Sequence, residues 1–382
     1  MKKIFIILLL LSFIPSIVCA KDSGTNINLV PNSKNAILIE ASTGKIIFNK
    51  KAYDKVSVAS LTKMMGLIII FDNIENGALK EDEIVTVSEN AKSMGGTQLY
   101  LDTGEKISVR DLIKGIVMAS ANDAMVALAE RVSGTEEAFV SLMNKKANEL
   151  GLKTTHFVNS VGFDEEGHYS SCYDMAIIAS ELIKRSKVFE YSSLYETYVR
   201  ENTDNKTWVV NTNKLVRFYE GADGLKTGFT DNAGSSIAAT AKRGDLRLIA
   251  IALGYDKSNI RNTEVMALLD YGFNQYDAKK LYSKGDIVGS ITRDKTNVDK
   301  IDLVLSNDII VLTKKGDATP KYTYEINLDN FSIPIEKNEK VGNFLVKANG
   351  SIINNTSLVV NKDIKKISFI NLFFKTIRDV LF

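Results

Sequence analysis

The sequence predicts an α+β protein. An antiparallel sheet is assembled from both ends of a long first domain, a helical insertion separates those ends, and a small all-β domain follows. Three observations point there. Strand-like runs around a Gly-containing loop open the globular part near Ala36. Helical apolar spacing dominates from Ser60 to about Ser186. Strand patterns return after Phe189, and beyond Leu281 only short strand-like runs and polar turns occur until residue 363.

The elements follow in order. Lys2 and Lys3, the apolar run Ile4 to Ile14 and Val18-Cys19-Ala20 form a charged, apolar and small-residue series. That is a secretory signal peptide over residues 1–20, with a mature chain from about Lys21. Two alternatives stay open: lipidation of Cys19, against which Val18 is large, and a retained anchor, for which the run is short. Ala36-Ile37-Leu38-Ile39-Glu40 and Lys45-Ile46-Ile47-Phe48-Asn49 read as a β-hairpin. A helix starts at Ser60 and runs to Asn76-Gly77, and a short strand follows at Ile84 to Val87. Helices are expected over Val109–Ala119, Asp123–Val132, Thr135–Leu150 and Cys172–Ser186. In the third, Phe139, Leu142, Met143 and Leu150 fall on one face. Trp208–Asn211, Ile237–Ala241 and Leu246–Leu253 read as strands, the last apolar enough to be central, and a helix runs from Asn262 to Tyr271.

This gives a first domain over residues 21–280 and a β-rich domain over 281–362. On residues 363–382 a helical wheel gathers Ile367, Phe369, Ile370, Phe373, Phe374, Ile377, Val380 and Leu381 on one arc. The segment is too polar to span a bilayer. It lies in a membrane interface or packs on the β domain, and its aromatics and excess of basic over acidic residues favour the membrane.

Composition excludes several classes. The 382 residues are 45% hydrophobic with net charge +2, which suits two globular domains and calls for no polyanion partner. One Trp and no basic stretch interleaved with aromatics argue against nucleic acid. There are two cysteines, and signal cleavage leaves Cys172 alone, so no intrachain disulfide is expected. Two histidines and no His-Glu-x-x-His pattern leave metal chemistry and a Ser-His-Asp triad unsupported; His156 and His168 read as structural loop residues. No cofactor is expected.

What chemistry the sequence carries lies in three short motifs. Ser60-Leu61-Thr62-Lys63 puts a hydroxyl and an amine on one helix face, where a desolvated Lys63 can take the proton of Ser60. Ser-x-x-Lys alone is weak, since Ser42-Thr43-Gly44-Lys45 repeats it in a turn. Ser120-Ala121-Asn122 falls between two helices, and Ser-x-Asn also recurs at Ser33 and Ser88. Lys226-Thr227-Gly228 occurs once, on an edge-like strand. In acyl transfer, Ser60 would be the nucleophile and Lys63 the base, with Ser120 passing a proton to the leaving nitrogen. Asn122 would hold Lys63 and a substrate amide, Lys226 would add a positive field, and Thr227 would bond a substrate carboxylate. Gly228 would allow close backbone approach.

The trio in this order is the signature of penicillin-binding proteins and class A β-lactamases. With Ala59 to Met65, Ser120 to Ala124, Thr155 to Asn159, His168-Tyr169-Ser170, Gly224 to Gly228 and Ala233-Gly234, the chain resembles the low-molecular-mass penicillin-binding proteins of the D-alanyl-D-alanine carboxypeptidase type. The resemblance implies a serine β-lactamase/DD-peptidase-like fold. It implies removal of the terminal D-Ala from peptidoglycan stem pentapeptides through an acyl-enzyme, acylation by β-lactams, and a place on the outer face of the cytoplasmic membrane. It also implies an oxyanion hole from the backbone N–H groups of Ser60 and Phe229, and Arg261 as the group that holds the terminal carboxylate. Val161 stands where some relatives carry His, so substrate positioning there is not carried over.

Rival readings share the fold. A β-lactamase needs a Glu-positioned water, and Asp164-Glu165-Glu166-Gly167 reads as a polar turn without the helical Glu-x-x-Leu-Asn setting. A DD-endopeptidase or transpeptidase would differ only in the bond or acceptor chosen. A catalytically silent wall-binding scaffold is disfavoured by the complete trio.

Overall fold

The computed structural model describes residues 28–293 and 295–367. The expected signal peptide and most of the expected terminal helix lie outside the described residues.

The first domain is built on a five-stranded antiparallel sheet. Its strands are β1 (Asn35–Glu40), β2 (Ile46–Lys50), β3 (Ala222–Gly228), β4 (Ser235–Arg243) and β5 (Leu246–Tyr255), in the order β2-β1-β5-β4-β3. The two ends of the domain therefore meet at the β1–β5 pairing, where Ile37 faces Ile251. The alternation along these strands feeds two cores. Ile37, Ile39, Ile249, Ile251 and Leu253 face the inserted helices. Ala36, Leu38, Leu248, Ala250 and Ala252 lie in the second core, on the other side, with Val265, Leu268 and Leu269 of the helix that closes the domain. A strand covered on both faces has no polar face to show, hence the continuous apolar run of β5.

The inserted layer contains α1 (Lys63–Glu75), α2 (Asn122–Ser133), α3 (Glu136–Glu149) and α4 (Cys172–Leu182). Ser and Thr side chains cap two of these helices: Thr135 accepts from Ala138 N–H and Ser171 from Asp174 N–H. In α3, Phe139 and Met143 are buried, but Leu142 is exposed, at the margin of the apolar stripe. Cys172 is buried at the start of α4. The closing helix α5 runs from Ser258 to Gln275, about a turn longer at each end than the sequence pattern indicates. Its first turn, Ser258-Asn259-Ile260-Arg261, is polar and gives little apolar signal.

Strand β6 (Tyr276–Tyr282) follows α5 directly, so the boundary expected at residue 280 falls inside a strand. It pairs with β9 (Ile309–Lys314). The remaining strands are β7 (Ile287–Ile291), β8 (Ile301–Leu305), β10 (Tyr322–Leu328), β11 (Lys340–Ala348) and β12 (Ser351–Val359). They form one sheet in the order β7-β8-β12-β11-β10. The core of this all-β unit includes Leu303, Leu305, Phe344, Val346 and Leu358, with Tyr282, Tyr324 and Phe344 in ring contact.

Candidate active site

The three motifs meet in a cleft of about 850 Å³ between the inserted helices and the β3 edge. Ser60, Ser120, Asn122, Thr227, Phe229 and Arg261 line it, and Gly228 forms part of its wall. Lys63 and Lys226 lie behind that surface, 0% and 1% exposed. All nine residues singled out in the sequence are thus brought to one place.

Ser60 does not begin the α-helix itself. It sits in a 3₁₀ turn, Ala59–Thr62, that leads into α1 at Lys63. In a 3₁₀ turn, residues three apart eclipse each other, so the tighter turn aligns Ser60 and Lys63 more closely than an α-helix would. Ala59 takes a positive φ of 47°, rare for a residue with a Cβ, and turns the chain sharply just before Ser60.

Lys63 Nζ lies 3.0 Å from Ser60 Oγ, 2.7 Å from Asn122 Oδ1 and 2.7 Å from the Val161 carbonyl oxygen. The Asn122 orientation is set by its Nδ2, which donates to the Gly95 carbonyl. Two of the three Lys63 partners can therefore only accept. A neutral amine has two N–H groups and one lone pair, so it satisfies both acceptors and leaves the lone pair facing the Ser60 hydroxyl. Burial holds the Lys63 pKa well below its usual value, and the nearby positive Lys226 lowers it further, against the opposing pull of Asp123 and Glu136.

The helix before Ser120 runs over Val109–Lys114 and widens into a π turn, Gly115–Ala119. Ser120 follows in the left-handed region, with φ 70°. Its Oγ is buried and has no hydrogen-bond partner among the described residues. A buried hydroxyl left open in this way is costly unless a ligand engages it. Asn122 begins α2, and its N–H donates to the Thr97 carbonyl.

Across the cleft, Lys226 Nζ donates to the Thr227 carbonyl at 2.9 Å. Its burial, then the charge of Arg261, bring its pKa down to about 7. A Cβ on Gly228 would stand 2.9 Å from the Ser60 nitrogen, so the strand can pass the turn this closely only as glycine. Phe229, 65% exposed, lies at the mouth. Arg261 donates to Ser235 Oγ, the Ser236 carbonyl and Asn262 Oδ1. These bonds use four of its five N–H groups, and one Nη2 proton has no partner among the described residues.

Several contributors are absent from the motif reading. The Val161 carbonyl and the Gly162 backbone are two: a Cβ on Gly162 would lie 2.0 Å from the Ala59 oxygen. Glu136 is a third, accepting from Ser160 N–H and Ser160 Oγ and so fixing the residue before Val161. Main-chain atoms leave no residue signature, although the positive φ of 92° at Gly162 shows in the sequence as glycine. His168 is structural, as expected. Val158 N–H donates to its Nδ1, which puts the ring proton on Nε2 beside Thr62 Oγ1. Burial lowers its pKa to about 4. Among the described residues no cluster of metal-ligating side chains is found.

Comparison with known proteins agrees with this geometry. Residues 25–257 match the family model described as D-alanyl-D-alanine carboxypeptidase. Residues 276–366 match that of the penicillin-binding protein 5 C-terminal domain. The chain is 42% identical to the D-alanyl-D-alanine carboxypeptidase DacF of Bacillus subtilis (strain 168), over 97% of this chain and 96% of that protein. Its fold is similar to penicillin-binding protein 5 from Haemophilus influenzae, with a TM-score of 0.69 and 27% identity over 88% of this chain and 98% of that one. It is also similar to penicillin-binding protein D2 from Listeria monocytogenes in an ampicillin-bound form, with a TM-score of 0.57 and 31% identity over 63% of this chain and 98% of that one. By motif order, fold and identity over nearly its whole length, this chain belongs to the D-alanyl-D-alanine carboxypeptidase family.

Proposed function

We propose that the protein is a serine-type D-Ala-D-Ala carboxypeptidase that removes the terminal D-Ala from peptidoglycan stem pentapeptides through an acyl-enzyme on Ser60. The observation that carries this reading is the Lys63 site, where two obligate acceptors leave the amine lone pair for Ser60 Oγ. Ser60 gives its proton to Lys63 as its oxygen attacks the scissile carbonyl. The N–H groups of Ser60 and Phe229 receive the developing oxyanion. Ser120 passes a proton to the departing D-Ala nitrogen, and water then hydrolyses the ester. Thr227, the field of Lys226 and the remaining Arg261 proton hold the terminal carboxylate. Asn122 orients Lys63 and the substrate amide. β-Lactams acylate the same serine, in keeping with the ampicillin-bound relative.

A β-lactamase reading finds less support. Glu165 accepts from Asn159 Nδ2 in the 164–167 loop, and neither it nor Glu166 lines the cleft. We further propose that the protein is secreted by a signal peptide over residues 1–20 and held at the outer face of the cytoplasmic membrane by residues 363–382. Among the described residues no helix is long and apolar enough to cross a membrane.

The test is D-alanine release from diacetyl-Lys-D-Ala-D-Ala by a protein spanning residues 21–382, with Ser60→Ala as control. Release that depends on Ser60 is expected. Penicillin labelling without release would move the function to an endopeptidase or transpeptidase. Deleting residues 363–382 is expected to free the protein from membranes with activity intact; unchanged retention would refute the anchor.

A further inference from the structure

Asp164 belongs to none of the three motifs and lies on the solvent side of the cleft. Its carboxylate nevertheless collects hydrogen bonds from two chain segments far apart in sequence. Oδ1 accepts from Ser57 Oγ, three residues before Ser60. The same oxygen accepts from Thr230 Oγ1 at 2.9 Å, one residue after Phe229. Oδ2 accepts from Asn232 N–H at 3.2 Å. The loop that bears Asp164 also carries the Val161 carbonyl, which holds Lys63 Nζ, and Gly162, packed on the Ala59 carbonyl.

We propose that Asp164 is a positioning residue: it clamps the segment of Ser60 to the segment of Phe229 and so sets the spacing of the two amide N–H groups that bind the oxyanion. The inference rests on the reading above, in which those two amides form the oxyanion hole. The two amides come from separate parts of the fold, the turn before α1 and the end of β3. Their separation is not set by a shared helix or strand. Packing of Gly228 on the turn limits how close they come. Among the described residues no direct hydrogen bond joins the two segments, and one carboxylate oxygen bonded to both ties them together. Ionised acceptors make stronger bonds than neutral ones, so a carboxylate suits this task better than an amide. Oxyanion donors act on charge that develops in the transition state, so loosening them slows acylation more than it weakens initial binding.

The measurement is the acylation of the mature protein by benzylpenicillin, with the limiting rate constant k2 separated from the initial dissociation constant K. Asp164→Ala is expected to lower k2 on the order of 10²-fold, with K within about threefold of the parent. Asp164→Asn keeps one oxygen for Ser57 and Thr230 but turns an N–H toward Asn232, so its loss is expected to fall between Ala and the parent. Ser57→Ala and Thr230→Val each remove one tie, and serve if Asp164→Ala does not fold. A lower melting midpoint with k2 unchanged would make Asp164 a loop staple and overturn the proposal. So would a loss confined to K. Failure of the underlying reading looks different: the unmutated protein itself would then not be acylated at Ser60.

Discussion

Replacement of Gly162 by alanine tests how Ser60, the proposed nucleophile, is held without touching a reactive group. The new Cβ would lie 2.0 Å from the Ala59 oxygen, 2.4 Å from its carbonyl carbon and 3.0 Å from the Ser60 nitrogen. The closest tolerated carbon–oxygen contacts are about 3.3 Å, so the two chains must part by about 1.3 Å. The atoms that must yield form the Ala59–Ser60 peptide, whose N–H is one of the proposed oxyanion donors. A misplacement of about 1 Å costs on the order of 10² in rate. The left-handed backbone at Gly162 adds about 1–2 kcal/mol of instability. Gly77→Ala separates the two effects: its φ is 79° and the added Cβ meets nothing within 4 Å. Gly77→Ala is expected to lose about 1 kcal/mol of stability and keep its acylation rate. Gly162→Ala is expected to lose at least that stability and about 10²-fold in the second-order rate of labelling by fluorescent penicillin. A Gly162→Ala protein with the parent's melting midpoint and a labelling rate within threefold would show that Gly162 does not hold the Ala59–Ser60 peptide in place.

Two further outcomes follow from the same geometry. Ser120→Ala removes a buried hydroxyl with no partner among the described residues, so the melting midpoint should hold or rise while D-Ala release falls by about 10²–10⁴-fold; a matched loss of stability and activity would assign Oγ a structural role. His168 titrates near 4 when folded and near 6.5 when unfolded, so the unfolded chain binds more protons between those values and stability rises with pH across that window, by about 3 kcal/mol in all; urea unfolding between pH 4 and 7 reads this, and a His168→Asn variant with the same slope would place the pH dependence elsewhere.

Much of the fold was legible because its signals are local or periodic. The hairpin loop, the strand periods and the apolar run of β5 follow from one stretch of chain each. The turn at Ser42-Thr43-Gly44-Lys45 also resolves locally: the Glu40 carboxylate bonds both Ser42 and Thr43, so this copy of the Ser-x-x-Lys spacing stays a hairpin loop. The motif residues were legible because side-chain chemistry is written in residue type. Asp164 and Glu136 were not, because a charged residue in a polar turn or at a helix start has a solvated reading that sequence alone does not exclude. Val161 contributes only its carbonyl, which any residue could supply. The 3₁₀ turn at Ser60 and the π turn before Ser120 depend on packing against β3 and on the bond from Thr212 N–H to the Met118 carbonyl, both set by distant chain.

The site lies on a seam between two layers, and that location explains its composition. The helical layer brings Ser60, Lys63, Ser120 and Asn122; the sheet edge brings Lys226, Thr227 and Gly228. Both lysines are almost fully buried at this seam. Two buried amines, one of which has its proton affinity lowered by the charge of the other, would be unfavourable in an ordinary core. Here burial first, and then the charge of Lys226, lower the Lys63 pKa, which suits the base role proposed for it. Backbone strain collects at the same seam, in the positive φ values of Ala59 and Ser120. Such strain persists only where the surroundings over-determine it. The apolar contacts of α1 and α2 on one side and the β3–β4 ladder on the other supply that constraint. A substitution that loosens the seam should therefore lower activity before it lowers the stability of either layer.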